Sequence, residues 1–201
     1  MTGELFIALV LIGGMLAGGY TYWKKKQLFK VPAGWQHYGI GKNRKLKHFG
    51  PAPVTMHFSR TQPAKTITKD CNGLPYGGTV ILEGEFSGKV VSAETGHFAP
   101  RIAIHFQRRG DTWSGTGKYA TYRWYAEPSQ RVYIMESGRV RIEIKLLPEN
   151  FKGVFDDKRG FREALENAER VGYTFGTAGE SAAHGVIGDG WFRRDSFEVL
   201  P

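Results

Sequence analysis

Two short runs of alternating polar and apolar residues carry the side chains best suited to binding chemistry. Successive side chains of a β-strand point to opposite faces, so each run predicts one polar and one apolar face. Runs 101–107 and 119–125 follow this pattern, and Trp113 lies in a glycine-flanked loop between them. Together they give a set of candidate ligand-binding residues: Arg101, His105, Trp113, Tyr119, Arg123 and Tyr125.

Aromatic rings and guanidinium groups suit sugar rings or anionic groups, through apolar stacking and forked hydrogen bonds. The same residues also fit a solvated sheet face held by ordinary cross-strand pairs. The sequence leaves both interpretations open.

A pair of carboxylates offers the one hint of catalysis. Glu83 and Glu85 share a strand face about 7 Å apart, a spacing that suits a glycosidase. Such pairs normally come from different strands that flank a cleft, whereas alternating glutamates are common on the outside of a sheet. We therefore expect no enzyme, with a membrane-bound polysaccharide-active hydrolase as the alternative.

Metal and cofactor signatures are weak. The six histidines show no HxH or HExxH spacing, and the single cysteine, Cys71, excludes an internal disulfide and a Cys-based zinc site. No GxGxxG, GxxxxGK or GxSxG pattern occurs. We predict no metal and no cofactor, although Asp156, Asp157 or Asp189 could contribute oxygens to a structural calcium site.

The elements that must position these residues are mainly strands. Period-two alternation is cleanest at 139–146 and clear at 101–107 and 78–86. Further strands are predicted at 55–58, 65–69, 118–126, 131–135, 172–175 and 191–199. Short antiparallel strands at this spacing predict a mainly β fold, an antiparallel β-sandwich. One short helix is predicted at 160–171, where apolar residues recur every three or four positions, and we expect it to cap one end of the sandwich.

An uncharged stretch of nineteen residues, 5–23, precedes this body. A bilayer core needs roughly 20 mainly apolar helical residues to cross it, and interfaces favour aromatic residues followed by lysines. The stretch therefore predicts a single transmembrane helix, in preference to a signal peptide or a buried core helix. Its predicted interface residues are Tyr20, Tyr22, Trp23, Lys24, Lys25 and Lys26.

Within that span, Gly14 and Gly18 lie four residues apart. Small residues at this spacing let two helices pack closely, so a homo-oligomer could form through them. Glycine is also common in membrane helices generally, so this interpretation stays open.

The positive charge of the chain lies next to the span. The formal net charge is +9, but eight of the 28 basic residues fall within 24–48, which holds no acidic residue. From residue 49 onward, 20 basic residues face 18 acidic ones. This distribution favours contact with anionic lipid headgroups over nucleic-acid binding, and a solvated flank without a specific partner is the alternative. Because Lys and Arg stay on the cytoplasmic side, the domain is expected there.

The sequence thus divides into three parts: a membrane anchor at 1–23, a basic linker containing glycine and proline at 24–53, and a β-sandwich domain at 54–201. The third part resembles the galactose-binding-like jelly rolls of carbohydrate-binding modules. The resemblance is carried by WSGTGKYATYRWY at 113–125, VRIEIKLLPENFKGVF at 140–155, RVGYTFG at 170–176 and HGVIGDGWFRRDSFEVLP at 184–201. It implies a jelly-roll sandwich whose face or loops bind something. We expect a membrane-anchored binding or structural module that recognises a glycan, or a partner protein of a cell envelope or a membrane-containing virion.

Overall fold

A computed structural model of the chain describes residues 35–39, 46–49, 54–61, 63–93, 99–112, 117–154, 158–176 and 184–201. The predicted membrane span and most of the linker lie outside these residues, so Gly14, Gly18 and the interface residues 20–26 receive no structural account. None of the helices within the described ranges has the length and apolar character needed to cross a bilayer.

The described chain is built mainly from antiparallel strands with one short α-helix, as predicted. The strands are β1 (Trp35–Gly39), β2 (Leu46–Phe49), β3 (Val54–His57), β4 (Ala64–Asp70), β5 (Thr79–Ser92), β6 (Arg101–Arg108), β7 (Arg123–Ala126), β8 (Val132–Tyr133), β9 (Gly138–Lys145), β10 (Phe151–Gly153), β11 (Ala168–Gly176) and β12 (Val186–Leu200). The helix α1 is Phe161–Glu166, and three 3-10 helices cover Gly117–Thr121, Pro128–Gln130 and Pro148–Asn150.

One half of the fold, the hairpin half, consists of β3, β12, β5 and β9. The two long strands β5 and β12 pair along nearly their whole length, and β9 pairs with the other side of β5. Side chains alternate along β5: Val80, Leu82 and Phe86 point into the core, while the glutamates between them point out. This buried face fixes the register of β5 with its neighbours.

The other half, the wide half, runs in the order β10, β7, β6, β11, β4, with β1 beyond β4. Its link to the hairpin half is the single pair Val186–Ala64 between β12 and β4. Aromatic rings join the two halves. The ring centroid of Phe192 on β12 lies 5.5 Å from that of Tyr173 and 5.7 Å from that of Phe175, both on β11. These contacts between strands that do not pair are consistent with the predicted sandwich.

Two glycines allow the backbones of β5 and β12 to approach closely at one point of their pairing. Gly88 on β5 is the register partner of Gly190 on β12, and their φ angles are +123° and +142°. A Cβ atom on Gly190 would lie 2.2 Å from the Ser87 carbonyl oxygen, closer than any real contact. Both the φ angle and the close approach therefore require glycine.

The predicted helix at 160–171 is too long. Helix α1 ends at Glu166, and β11 begins at Ala168. The helical spacing of apolar residues continues past that point, but Arg170 and Val171 pair with Gln107 and Phe106 of β6 instead. Strand pairing satisfies their backbone groups and buries Val171, and this outweighs the local periodicity.

Helix α1 nevertheless covers part of the core as expected. Phe161 packs against the rings of Phe106, Trp124 and Phe151, with ring centroids 5.2–5.8 Å apart. All four rings are buried.

Two predicted strands are shorter than expected. The strand predicted at 118–126 begins only at Arg123, after the 3-10 helix Gly117–Thr121, and the one predicted at 131–135 is limited to Val132–Tyr133. The remaining predicted strands are present, and β5, β11 and β12 extend by four or more residues beyond the predicted bounds.

Candidate functional site

The candidate site lies on the wide half, on the side opposite the aromatic core. The strand register sets its central row: His105 on β6 has Gly172 on one side and Tyr125 on the other, and Gly172 in turn pairs with Thr68 on β4. We call this surface the polar face. It comprises Thr66, Thr68, Ala103, His105, Gln107, Arg123, Tyr125, Lys152, Gly172 and Thr174.

The polar face is buried. Thr68, His105 and Gln107 have no exposed surface, and Arg123, Tyr125 and Lys152 are each 8% exposed. Side chains so well shielded do not form the solvated sheet surface that the sequence also allowed. Buried polar groups normally have hydrogen-bond partners, because leaving one unpaired costs free energy.

His105 is held neutral. Burial, together with the nearby positive charges of Arg123 and Arg170, lowers the pKa of its imidazole to about 3, while the Ile67 carbonyl acts in the opposite direction. The Ile67 oxygen forms no hydrogen bond of normal geometry with the ring. At neutral pH the ring therefore carries one N–H donor and one nitrogen acceptor.

Four polar atoms of this face have no hydrogen-bond partner among the described residues. They are Oγ1 of Thr68, Oε1 of Gln107 and both ring nitrogens of His105. By contrast, the Thr66 hydroxyl meets that of Thr174 at 3.2 Å one row away. The unpartnered atoms are thus concentrated around the centre of the face.

A buried ion pair supports one edge of this centre. Arg123 donates from Nε to a carboxylate oxygen of Asp111 at 2.7 Å, and the amide nitrogen of Gln107 donates to the same oxygen at 2.8 Å. The Asp111 side chain is 1% exposed. Asp111 therefore balances the charge of Arg123 and orients the Gln107 amide, which leaves the Gln107 oxygen as a pure acceptor.

Tyr125 adds a phenol and an aromatic ring beside His105, with the two ring centroids 5.9 Å apart. Burial raises the pKa of Tyr125, so its hydroxyl stays protonated. Lys152 on β10 is the register partner of Tyr125 and is also buried.

The structure brings together three of the six predicted site residues: His105, Arg123 and Tyr125. Arg101 lies at the far end of β6, where it donates to the Pro128 carbonyl at 2.9 Å and stacks over the Tyr133 ring at 3.9 Å. Its guanidinium is therefore engaged in local packing and does not reach the row that contains His105.

The prediction that Tyr119 shares a strand face with Arg123 is wrong. Tyr119 lies in the 3-10 helix Gly117–Thr121, where its ring packs edge-on against Tyr122 at 5.3 Å. A turn of helix breaks the period of two, so alternation could not place it. Trp113 lies outside the described residues.

Glu83 and Glu85 lie on the outer face of the hairpin half. Arg141 on β9 binds Glu83, and Arg193 on β12 binds Glu85 at 2.7 Å. Their side chains are 45% and 37% exposed. Each carboxylate is thus held by an arginine on an open sheet, which does not resemble the cleft between two carboxyl groups in a glycosidase.

In the part of the chain that is described, no three His, Cys, Asp or Glu side chains lie together as metal ligands would. Asp189 instead accepts hydrogen bonds from Arg60, which lower the pKa of its carboxyl group. Asp156 and Asp157 lie outside the described residues. Cys71 is buried, and burial together with Asp70 and Glu169 raises the pKa of its thiol to about 12, so the thiol is inert.

Sequence reasoning did not single out Thr68, Gln107 or Asp111. Alternation placed Gln107 on the same face as His105, but nothing local marked it as special. Thr68 and Asp111 reach this face through pairings and contacts distant in sequence, so no short-range signal could identify them.

Comparison of the sequence with protein-family models and with curated proteins found no match.

Proposed function

We propose that the chain is a single-pass membrane protein whose β-sandwich, of jelly-roll type, binds a glycan through the polar face of its wide half. The observation that carries this proposal is the set of buried polar side chains on that face whose hydrogen-bonding capacity the described residues leave unused. Binding sites typically present a few convergent polar groups within an otherwise shielded surface.

The kind of side chain present supports a glycan. Tyr125 and His105 offer ring faces next to hydroxyl and amide groups, a combination that serves sugar rings. The resemblance to carbohydrate-binding jelly rolls points the same way. A partner protein of an envelope or a membrane-containing virion is the second ligand that this proposal allows.

The anchor completes the proposal. Residues 5–23 would cross the bilayer, the basic cluster beginning at Lys24 would meet anionic headgroups, and Gly14 with Gly18 would allow a homo-oligomer. The positive-inside rule would leave the domain on the cytoplasmic side.

A glycan array probed with the full-length chain tests the proposal, using a zwitterionic detergent that carries no sugar headgroup. We expect binding to a restricted set of glycans, lost in His105→Leu and retained in Glu198→Gln, whose exposed side chain lies on the hairpin half. Silence on the array, together with failure to retain purified envelope glycoproteins or proteins in a pulldown, would overturn it.

A further inference from the structure

The hydrogen-bonding capacity left unused on the polar face has a definite chemical character. Gln107 Oε1 can only accept, because the amide nitrogen already donates to Asp111. The neutral ring of His105 has one nitrogen that can only accept. The Thr68 hydroxyl can donate or accept. The centre of the face therefore requires at least two donors from whatever occupies it.

An anionic group cannot by itself meet this requirement. Carboxylate and phosphate oxygens only accept, so an anionic ligand would leave Gln107 Oε1 and the acceptor nitrogen of His105 buried without partners. An unpaired buried polar group costs enough to weaken binding by about tenfold or more. Two of the nearby cations already face a carboxylate: Arg123 is paired with Asp111, and Arg170 lies 3.9 Å from Asp70.

A hydroxyl group meets the requirement. Each hydroxyl offers one donor and two acceptor lone pairs, so a few of them satisfy acceptors and donors together. The three residues also lie within the reach of one small ligand. Thr68 and His105 are two strands apart, about 10 Å, and Gln107 is two residues from His105, about 7 Å along β6.

We propose that Thr68, His105 and Gln107 form a binding site for a neutral ligand rich in hydroxyl groups, a sugar or polyol without an acidic group. This inference rests on the proposed function and narrows it to uncharged glycans bound at these three residues. All three side chains are shielded from solvent in the free chain.

Matched pairs of sugars test the inference, because they differ only in the carboxylate. Binding of glucose against glucuronate, and of galactose against galacturonate, would be measured by thermal shift and calorimetry on the full-length chain in the same sugar-free detergent. We expect a neutral sugar to bind at least tenfold more tightly than its acidic counterpart.

Thr68→Val tests the location. It replaces the hydroxyl by a methyl group of the same shape, so it should leave the midpoint of thermal unfolding of the free protein unchanged or higher while weakening sugar binding about tenfold. Thr79→Val, the same change on the hairpin half, should leave binding unchanged. Should Thr68→Val fail to fold, the ¹⁵N resonances of the His105 ring in the native chain provide a second readout, since sugar bound there must shift them.

Each other outcome overturns the inference in a distinguishable way. Preference for the acidic sugars, or binding that ignores Thr68→Val and leaves the His105 resonances in place, would remove this site and keep the broader glycan proposal. If neither sugar of any pair binds, the polar atoms are satisfied by ordered water only; the inference then fails, while binding of larger glycans on the array decides the proposed function separately.

Discussion

The imidazole of His105 is fully buried beside two arginines, so its protonation is coupled to folding. In the unfolded chain a histidine takes up a proton near its ordinary pKa of 6.5, whereas in the folded chain burial, Arg123 and Arg170 delay protonation until about pH 3. The unfolded state thus binds more protons between these values, and stability must fall as the pH falls.

We expect the free energy of unfolding to fall by about 1.4 kcal/mol per pH unit from this one group between about pH 6 and pH 4. Urea denaturation at several pH values would measure the slope for the native chain and for His105→Gln. The variant should show a shallower slope, because its amide does not titrate. His57→Gln, at an exposed position of β3, controls for the loss of one histidine. Equal slopes in the native chain and in His105→Gln would contradict the prediction.

Cys71 is the one thiol of the chain, and its surroundings suppress its ionisation. A pKa raised from 9.0 to about 12 lowers the thiolate fraction at pH 8 on the order of a thousandfold. Alkylation by iodoacetamide, followed by mass spectrometry, should therefore be slow in the folded chain and rapid in urea. Rapid labelling of the folded chain at pH 8 would show that this thiol is exposed or ionised after all.

At the scale of elements, the paired strands β5 and β12 depend on glycine where they meet. Gly190 has a φ angle of +142°, and any side chain there would press on the Ser87 carbonyl. Gly138, at the start of β9, has nothing within 4 Å of the position of a Cβ atom and no left-handed φ angle.

Gly190→Ala should therefore destabilise the domain by about 2 kcal/mol or more, from backbone strain and steric overlap together. Gly138→Ala should change stability by less than about 1 kcal/mol in either direction, since it gains strand rigidity without a clash. Chemical denaturation of both variants measures the difference. A small effect of Gly190→Ala would mean that β5 and β12 separate at this point in solution.

The strands and the helix show which parts of this fold could be predicted from the sequence. Alternation located β5, β6 and β9 because each has one face that is consistently apolar. It could not foresee that both faces of β6 are buried, since periodicity separates the faces of a strand without specifying what lies against either one. Likewise it assigned 168–171 to a helix, because the gain from pairing with β6 comes from residues sixty positions away. Part of the candidate site was predicted for the same reason: His105, Arg123 and Tyr125 follow local alternation, while Thr68 and Asp111 depend on distant contacts.

At the scale of the whole molecule, charge is divided between two regions of different character. The outer face of the hairpin half pairs its charges: Arg139 and Arg193 bind Asp195, Arg193 also binds Glu85, and Arg141 binds Glu83. Exposed pairs of this kind contribute little stability, but they leave no strong net charge on that face. Positive charge in excess lies instead in 24–48, beside the predicted span. A polyanion is therefore expected to interact with the linker before it interacts with the sandwich.

Whether the whole chain stays attached to a membrane is expected to depend on residues 5–23. The full-length protein should remain in the membrane pellet after an alkaline carbonate wash, because a helix of about this length satisfies its backbone hydrogen bonds inside the bilayer. Replacing both Val10 and Leu16 by lysine should release most of it, since each lysine near the centre of the span costs about 2.5–3.5 kcal/mol. Thr2→Lys adds a charge outside the apolar run and should leave the protein in the pellet. If the native chain is released as readily as the double-lysine variant, the prediction is wrong, and only electrostatic attraction of the basic linker holds the protein at the membrane surface. Washing with high salt in place of carbonate would then release it as well, because added ions screen that attraction.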